Sequence, residues 1–505
     1  MYLWRKLDGW INGTTMYRLV VYVLSVWALL AIAFSFVGVL QYSWIGLGLS
    51  LMLAIASCYI ANLLFAWVWN VSTNSESWLI TALILFCIMP PATTTPRIAG
   101  VIAAGAVAMA GKFILALHGK HIFNPAAFGA VVAGWIGLAY AGWWIGTPVM
   151  LPFVIVGGLL VVRKIRRFML VGTFVGVSIL TILLMALIKD RPVFDALRLA
   201  VMSGPLVFMA TIMLTEPSTM PSRRSLQLLY GGLVAVLYST YLGHGALLVT
   251  PHLALVLGNV FSFAVSPKRR LRLTLQEKRQ MGPNLYDLSF TANAKLHFRA
   301  GQYVEWTLPH AHADDRGNRR TFTIASSPTE AQVHLGVKFY NPSSSFKRAL
   351  FAMEPGQQLW AGHLTGDFVL PADPAQKLVW VAGGIGITPF RSMAQYLIDT
   401  KQQRDVVLFY AIANPEEQVY SEVFAQAKAL GVRVVPVLAA KETPASWQGL
   451  TGFLTPEMIN EAVPDYASRM FYLSGPNAMV ANYRTMVKKM GVPRRRIVTD
   501  YFAGY

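Results

Sequence analysis

The chain has 505 residues, of which 55% are hydrophobic and 13% charged, and its formal net charge is +19. Because soluble proteins carry about 25% charged residues, this composition excludes an ordinary soluble protein over the whole length. The apolar runs lie before Lys268, and the chain from there on has an ordinary polar composition. We place the main domain boundary at this point. Lysine and arginine gather at the ends of the apolar runs, which favours membrane orientation over nucleic-acid binding.

Ten apolar runs precede Lys268, and a membrane-spanning helix needs about 20 apolar residues. With the N-terminus inside, the cytoplasmic loops receive most of the lysine and arginine, as the positive-inside rule requires. We therefore predict a polytopic α-helical membrane domain of about ten spans in the inner (cytoplasmic) membrane, with the N-terminus and the C-terminal half in the cytoplasm. The predicted spans are Tyr17–Leu40, Tyr42–Val68, Trp78–Pro90, Ile98–Leu117, Pro125–Trp144, Val149–Val162, Phe168–Ile188, Val193–Leu214, Leu226–Leu242 and Ala246–Val265.

Two proline signals recur in the membrane half at one offset. Pro91 and Pro217 each follow an apolar run, Pro125 and Pro251 each open one, and both pairs are 126 residues apart. Each copy would hold five spans, an odd number, so the copies face opposite sides of the membrane. We predict two inverted five-span repeats whose interrupted helices form a binding site near the midplane. Helix N-termini there would offer N–H groups to anionic or carbonyl-bearing ligands.

Polar side chains inside apolar runs cost energy and indicate function. Asn124, Thr215 and Glu216 are such residues. Lys112 either belongs to this group or extends its ammonium group to the membrane interface.

We predict no metal site and no haem. The two cysteines of the chain, Cys58 and Cys87, are too few for an iron–sulfur cluster, which takes about four, or for a cysteine zinc site. The histidines near apolar runs lack the spacing of haem ligands stacked on facing helices, and we expect them in loops or at helix ends. They are His118, His121, His244 and His252.

The polar half contains two patterns. Short apolar runs alternate with polar residues and turns up to about Pro371, which predicts an antiparallel β-barrel over residues 268–373. From Lys377 buried strands alternate with helices, which predicts an α/β Rossmann-like nucleotide domain over residues 374–505. Residues 1–267 form the predicted membrane domain.

Arg320-Thr-Phe-Thr323 and the order of barrel and nucleotide sheet resemble the ferredoxin-NADP reductase family. The resemblance implies that Arg320 binds the pyrophosphate of FAD, that Phe322 stacks on the flavin, and that Thr323 hydrogen-bonds near the flavin N5. The turn Ser343–Phe346 resembles that family's phosphate-binding turn without its usual glycine, and the tail Asp500–Tyr505 resembles its acidic–aromatic end. The implied FAD-binding residues are Arg320, Phe322, Thr323, Lys338, Ser344, Ser345, Phe502 and Tyr505.

Gly383-Gly-Ile-Gly-Ile-Thr-Pro389 resembles the pyridine-nucleotide turn of the same family, in which glycines let backbone N–H groups approach the diphosphate. Leu473–Met479 resembles its Cys-Gly-Pro-x-x-Met signature, with Ser474 in place of cysteine. NADH and NADPH both stay open, since no clear arginine for a 2′-phosphate follows Tyr410, although Lys441 could serve. The implied nucleotide-binding residues are Gly383, Gly384, Gly386, Thr388, Pro389, Ser474, Gly475, Pro476 and Asn477.

The segments Gly119–Ala126, Ile88–Pro91 and Thr215–Pro217 resemble the Nqr-B/Rnf-D family of membrane proteins, which belong to the sodium-pumping NADH:quinone reductase and to the Rnf complex. That family has two inverted five-span repeats and carries flavins. Its covalent FMN threonine motif is absent here, with Thr147 as the sole candidate, so the resemblance implies FMN or riboflavin held non-covalently. The implied membrane-flavin residues are Thr94, Lys120, Asn124, Pro125, Thr215, Glu216, Pro217, Ser218 and Thr219.

These resemblances predict a flavin-dependent NAD(P)H:acceptor oxidoreductase. Hydride would pass from nicotinamide to FAD, and electrons would continue through the membrane flavin to an extracytoplasmic acceptor protein or quinone. This chemistry belongs to the cofactors, and we predict no catalytic acid–base side chain. The expected partners are the lipid bilayer and the electron acceptor, not nucleic acid. The alternatives are a redox-coupled ion transporter and a quinone reductase working within one leaflet.

Overall fold

The computed structural model describes residues 11, 14–69, 75–117, 120–138, 140–190, 192–243, 249–266, 270–314, 317–439, 444–445 and 447–500. The described residues form two compact units. We call them the helical unit, which extends to residue 266, and the C-terminal unit, which begins at residue 270.

The helical unit consists of helices and one short β-hairpin. The helices are α1 (Met16–Phe36), α2 (Trp44–Val68), α3 (Ser75–Ile88), α4 (Thr95–Ile114), α5 (Pro125–Trp135), α6 (Leu151–Ile165), α7 (Phe168–Ile188), α8 (Val193–Arg198), α9 (Leu206–Phe208), α10 (Arg224–Gly243) and α11 (Pro251–Val265), and the hairpin strands are β1 (Ala116–Leu117) and β2 (Lys120–His121).

Every predicted apolar run contains a helix, but ten complete spans are not confirmed. Among the described residues, α1, α2, α4 and α7 are long and apolar enough to cross a membrane. A fifth span results if the bent pair Val193–Met202 and Leu206–Met213, which meet at 56°, is counted as one. The helices α3, α5 and α11 are apolar but shorter.

The fifth predicted run is wrong at its C-terminal end, because α5 stops at Trp135 rather than Trp144. The following segment instead binds the end of α3. The backbone N–H groups of Gly142 and Trp143 both donate to the carbonyl of Ile88, at 2.8 and 2.9 Å, and the indole of Trp144 donates to the carbonyl of Phe86 at 2.6 Å. These contacts satisfy helix-end carbonyls that would otherwise lack partners.

The two short helices that open at Pro125 and Pro251 lie against each other. Each begins with a side-chain cap: Asn124 accepts from the N–H of Ala127 and Thr250 from the N–H of Leu253. The N–H of Asn124 donates to Oδ1 of Asn259 at 2.9 Å, and Asn259 lies in the C-terminal half of α11. The start of α5 therefore lies beside the middle of α11, and the inverted repeat stays a prediction.

The first half of the C-terminal unit is the predicted antiparallel barrel. Its sheet has the order β6-β5-β8-β3-β4-β7, and the N–H of Ala325 donates to the carbonyl of His334, which joins its two ends. Leu271, Leu273 and Leu275 alternate with more exposed residues and point into the core. The strands are β3 (Leu271–Gly282), β4 (Leu285–Ala292), β5 (Tyr303–Thr307), β6 (Arg319–Thr323), β7 (Val333–Lys338) and β8 (Gln358–Thr365), with helix α12 (Ser345–Phe351) before β8.

The second half is the predicted parallel sheet, in the order β12-β11-β10-β9-β13-β14. Every residue of its central strand, β9, is buried, as expected for a parallel strand covered on both faces. The elements are β9 (Leu378–Gly383), α13 (Thr388–Thr400), β10 (Val406–Ile412), α14 (Ser421–Ala427), β11 (Val432–Leu438), β12 (Leu450–Thr451), α15 (Pro456–Ala462), β13 (Met470–Ser474), α16 (Asn477–Lys489) and β14 (Ile497–Thr499).

Close packing of α4 on α5 predicts that Gly129→Ala destabilises the helical unit. A Cβ at Gly129 would lie 2.3 Å from the carbonyl oxygen of Ala104, and such overpacking costs about 1–3 kcal/mol. Gly172→Ala on α7 is the matched control, because nothing lies within 4 Å of its Cβ position. Thermal unfolding of the purified chain followed by circular dichroism should show a lower midpoint for the first variant alone. Equal midpoints would contradict this packing.

Candidate functional site

The barrel brings Arg320 next to the serine turn. The guanidinium of Arg320 contacts Oδ1 of Asp314 at 2.9 Å, and Oδ2 of Asp314 accepts from the N–H of Ser345 at 3.0 Å. Ser344 caps α12 by accepting from the N–H of Lys347. A guanidinium and a helix N-terminus thus converge on one carboxylate. The same donors fit the oxygens of a pyrophosphate, so this group could hold the FAD phosphates.

Asp314 is a residue that sequence reasoning missed. It lies in the loop before β6, where no motif indicated a role, and it now accepts from the two predicted phosphate donors. Its own N–H donates to Oγ of Ser345 at 2.8 Å. A carboxylate in this place competes with a bound phosphate for the same N–H groups.

Phe322 and Thr323 lie on β6 opposite β5, where Thr323 pairs with Tyr303 and Phe322 with Val304. The ring of Phe322 is half-buried and lies 6.0 Å from that of Phe346. An accessible aromatic ring beside the phosphate donors suits a flavin, which needs a flat apolar contact. Arg320, the serine turn and Phe322 therefore present groups that could hold FAD.

The ammonium group of Lys338 forms an ion pair with a residue outside this group. Its ammonium group contacts Oε1 of Glu417 at 2.6 Å, and both side chains are largely buried. Glu417 follows β10, so the pair joins the barrel to the parallel sheet. Phe502 and Tyr505, also predicted for FAD, lie outside the described residues.

The predicted nucleotide turns meet at the ends of adjacent strands. Gly383 ends β9 and Ser474 ends β13, and these strands pair in parallel. A Cβ on Gly386 would lie 2.6 Å from the Cα of Gly475 and from the carbonyl oxygen of Ser474. Gly384 has φ +51°, which favours glycine. Thr388 and Pro389 form the first turn of α13, and Asn477 follows Pro476 at the start of α16.

Two helix N-termini and a glycine turn therefore lie at one edge of the sheet. Parallel α/β sheets bind nucleotides at this edge, outside the carboxyl ends of the strands. Asp500 joins the group, because the hydroxyl of Ser474 donates to its Oδ2 at 3.2 Å. The sequence signal for Asp500 was the acidic–aromatic tail.

The glycine turn also lies close to the barrel. A Cβ on Gly336, in β7, would lie 2.6 Å from Cγ2 of Thr388 and 2.7 Å from the hydroxyl of Tyr420. Tyr420 donates to Oδ1 of Asp287 at 2.9 Å, and Nδ1 of His334 contacts Oδ2 of Asp287 at 2.7 Å. Barrel and sheet are thus joined through one buried carboxylate, and a barrel-bound flavin would lie near a sheet-bound nicotinamide.

The environment of Asp287 changes its pKa. Burial raises the pKa, but the hydrogen bond and charge of His334, with Tyr420 and Arg391, hold it below its usual value. Tyr420 is affected in the opposite sense, since burial raises its pKa well above the usual value. The junction is therefore an ionised carboxylate with a protonated phenol at neutral pH.

The helical unit contains a partly open cavity, and the empty space in it, counted together with the solvent at its mouth, is about 610 Å³. Asn124, Pro125, Thr215, Glu216 and Pro217 line it, as predicted for one site. Most of the remaining lining is apolar. The other lining residues are Met16, Tyr17, Val20, Ser77, Ile80, Thr81, Ile84, Ala126, Val161, Ile165 and Ile212.

Glu216 is the centre of a polar group at this cavity. Its carboxylate accepts from Nδ2 of Asn124 at 2.8 Å and from the hydroxyl of Thr219 at 3.2 Å, and it contacts Nε2 of His121 at 3.1 Å. Sequence reasoning placed His121 in a loop or at a helix end and missed this contact. Ser218 is buried next to Thr219. The arrangement could hold a ligand with both an apolar ring and hydrogen-bonding edges.

Two predicted residues are not part of the cavity as described. Thr94 is exposed and begins α4, whose other end leads to the hairpin before Asn124. Helix α4 has 20 residues and spans about 30 Å, so Thr94 lies far from Asn124. The side chain of Lys120 lies outside the described residues. Lys112 donates to Oγ of Ser77, a lining residue, at 3.0 Å.

Among the residues that the structure describes, no three His, Cys, Asp or Glu side chains could together hold a metal ion.

Residues 380–485 match the family model of the oxidoreductase NAD-binding domain. The chain is 26% identical over 237 residues to the phenol hydroxylase P5 protein of Acinetobacter pittii, covering 45% of this chain and 64% of that protein. It is 25% identical over 224 residues to the NADH oxidoreductase HCR of Escherichia coli, covering 44% and 66%. It thus spans just under two thirds of these relatives.

Solved structures that match include the Amycolatopsis cytochrome P450 reductase GcoB, with a TM-score of 0.42 and 26% identity over 47% of this chain and 70% of that one. Another is a ferredoxin NADP+ reductase from Neisseria gonorrhoeae, with a TM-score of 0.40 and 19% identity over 46% and 98%. The C-terminal unit carries an oxidoreductase NAD-binding domain, and the curated relatives are consistent with a flavin-dependent oxidoreductase.

We expect Arg320→Gln to lower the affinity for FAD and Asp314→Asn to raise it. Loss of a charged hydrogen-bond donor costs about 1.5–3 kcal/mol, a factor of roughly 10–100 in Kd. Asp314→Asn removes the competing negative charge. FAD titration of the purified chain, followed by flavin fluorescence, measures both effects.

Arg319→Gln is the control for this pair, because Arg319 lies in the same strand but contacts Glu305 at 3.5 Å. It should leave the affinity for FAD nearly unchanged. Equal losses in the Arg319 and Arg320 variants would contradict the assignment.

We expect Asp287→Asn to destabilise the C-terminal unit at neutral pH but not in acid. The folded-state pKa of Asp287 is depressed, so its contribution exists above the unfolded pKa of about 3.9 and is lost as the pH falls through the folded value. Loss of its charged hydrogen bonds costs about 1.5–3 kcal/mol. Thermal unfolding midpoints between pH 7 and pH 3 should converge for variant and wild type. The exposed Asp399→Asn serves as control, and a constant difference at every pH would exclude this role.

Proposed function

We propose that the chain is an NAD(P)H-dependent flavoprotein oxidoreductase that passes electrons from a cytoplasmic nicotinamide coenzyme through FAD to a flavin in the helical unit, and on to an extracytoplasmic acceptor protein or quinone. The observation that carries the proposal is the approach of β7 to the glycine turn, where a Cβ on Gly336 would lie 2.6 Å from Cγ2 of Thr388. This contact brings a nucleotide site and the barrel within one unit.

The candidate site residues of the C-terminal unit bind or orient FAD and the nicotinamide coenzyme. Arg320 and the N-terminus of α12 hold the diphosphate of FAD, and Phe322 contacts its ring. The backbone of Gly383–Gly386 approaches the coenzyme diphosphate, and Ser474 with Asp500 borders the nicotinamide end. Bound FAD supplies the conversion of a two-electron hydride donor into single-electron transfers.

The cavity of the helical unit supports a second flavin, FMN or riboflavin held without a covalent bond. Its apolar walls suit the isoalloxazine ring, while Asn124, Thr215 and Glu216 offer hydrogen-bonding groups at one end. The hydrocarbon core of a membrane is about 30 Å thick, so a second carrier is needed for electrons to cross it. The long apolar helices α1, α2, α4 and α7 support residence in the inner membrane.

The redox-coupled ion transporter is the second candidate, and the polar group around Glu216 favours it. A carboxylate in an apolar helical unit is costly and is retained for a function such as ion or proton passage. Its contacts with His121 and Asn124 would stabilise the charge in the resting state.

The test is electron transfer across a liposome membrane. The reconstituted chain receives NADH outside, and a membrane-impermeant acceptor is placed either inside or outside. The proposal expects reduction of the enclosed acceptor. Reduction only on the NADH side would exclude transfer across the membrane, and a requirement for sodium or a proton gradient in turnover would favour the transporter.

Ile80→Trp should fill the cavity that Ile80 lines and remove the membrane flavin. We expect cofactor extraction to recover FAD alone from this variant and to recover FAD with FMN or riboflavin from wild type. Reduction of the enclosed acceptor should fall at least about tenfold, an increase of about 1.4 kcal/mol in the barrier, while reduction of an outside acceptor is retained. Ile102→Trp, on the exposed face of α4, is the control. If both variants keep both flavins, the cavity is not the flavin site.

A further inference from the structure

A second opening lies in the C-terminal unit, away from the candidate cofactor turns. It lies beside the segment that links the barrel to the parallel sheet, and the empty space in it, counted together with the solvent at its mouth, is about 620 Å³. We call it the linker cleft. None of its lining residues is among those predicted for FAD or the coenzyme. They are Phe298, Arg299, Ala300, Pro328, Val369, Leu370, Pro371, Ala372, Tyr396, Gln402 and Arg404.

The linker cleft lies at the opposite edge of the sheet from the nucleotide turns. Arg404 precedes β10, and the N–H of Leu378, at the start of β9, donates to the carbonyl of Asp405. The glycine turn begins at the other end of β9, at Gly383. Six residues of strand separate the two edges by about 20 Å. A ligand in the cleft is therefore distinct from the coenzyme.

Two guanidinium groups meet on the linker backbone. Arg299 donates from Nη2 to the carbonyl of Leu370 at 3.1 Å, and Arg404 donates from Nη2 to the carbonyl of the next residue, Pro371, at 2.8 Å. Arg404 also donates from Nη1 to the carbonyl of Asp373. Because neighbouring carbonyls accept from both arginines, their positive charges lie close together.

Tyr472 gives independent support for this convergence. Burial raises the pKa of Tyr472 to about 12, and Arg404 and Arg299 both act to lower it. Both cations therefore lie within electrostatic reach of this one hydroxyl. The electrostatic repulsion between the two guanidinium groups is relieved when a negative charge lies beside them.

The cleft itself provides no such charge. Its lining contains two arginines and no carboxylate, and within the described part of the chain neither arginine forms an ion pair. Asp373 acts on Arg404, but it is exposed and lies outside the lining. Nε of Arg404 is buried and has no hydrogen-bond partner in the protein. The lining therefore has an excess of positive charge and an unused donor.

We infer that the linker cleft binds a phosphate group, held between the guanidinium groups of Arg299 and Arg404. A tetrahedral oxyanion can accept from two arginines approaching from different sides, and arginine is suited to phosphate through its forked donors. The phosphate can come from inorganic phosphate or from a nucleotide. This inference concerns a site separate from electron transfer and does not depend on the proposed function.

The test is isothermal titration of the purified full chain with inorganic phosphate. FAD and NAD+ are kept saturating, so that their own phosphate sites are filled, and ionic strength is held constant with chloride. We expect one saturable site per chain. Parallel titrations with 5′-AMP and citrate separate the sources: tighter binding of 5′-AMP identifies a nucleotide, equal binding identifies free phosphate, and tighter binding of citrate would overturn the phosphate assignment.

Two variants place the binding in the cleft. Arg299→Gln removes one cation, and Ala372→Glu adds a carboxylate at an exposed lining position; each should raise the Kd for phosphate at least about tenfold, or 1.4 kcal/mol. Arg433→Gln is the matched control, because Arg433 is also an arginine that donates to a backbone carbonyl, that of Ala462. It should leave the Kd unchanged. Absence of saturable binding in wild type, or equal losses in the Arg299 and Arg433 variants, would refute the inference.

Discussion

The C-terminal unit depends on the close approach of β7 to the start of α13, which requires the absence of a side chain at Gly336. Any Cβ there would collide with Thr388 and with the hydroxyl of Tyr420. Next to this contact, Asp287 accepts from Tyr420 and contacts His334. A steric requirement and a buried charge thus position the glycine turn against the barrel. Electron transfer between two bound cofactors needs this proximity, because neither cofactor site alone can perform it.

In the helical unit, side chains supply hydrogen-bond partners for the backbone groups at interrupted helix ends. Helix α5 begins in the apolar interior, where unpaired N–H groups would cost several kcal/mol each. The side chain of Asn124 caps the helix, while its own N–H donates to Asn259 of α11. The same side chain donates to Glu216. One residue therefore joins the start of α5, the contact of α5 with α11 and the polar lining of the cavity.

In both candidate binding regions the charged side chains have partners within the protein. Arg320 contacts Asp314, and Glu216 contacts His121 and Asn124. Charged groups with low exposure require such partners, because desolvation is costly without them. A ligand that enters must displace or extend these contacts, so its affinity is set by a difference between two sets of hydrogen bonds. The linker cleft differs, since its two arginines are matched only by backbone carbonyls.

The sequence by itself determined the elements and their order. The spacing of apolar residues and the length of each apolar run distinguished helices from strands, as for Leu271–Leu275 and β9, because these signals are local. The signals for the glycine turn at Gly383 and for the turn at Ser474 were also local, since backbone access to a diphosphate requires glycine at fixed spacing. The repeat offset singled out the two prolines that open α5 and α11, and these two helices are in contact.

Only the tertiary structure decided which distant groups meet. Asp314 and Asn259 lie in no motif, and His121 had no assigned role. Their contacts with Ser345, Asn124 and Glu216 join residues far apart in the chain. The length of each apolar helix also depended on the tertiary structure. An apolar run indicates that a segment is buried, but it does not indicate the residue at which the helix ends. That end is set by hydrogen-bond partners such as the carbonyl of Ile88, which binds the chain after α5.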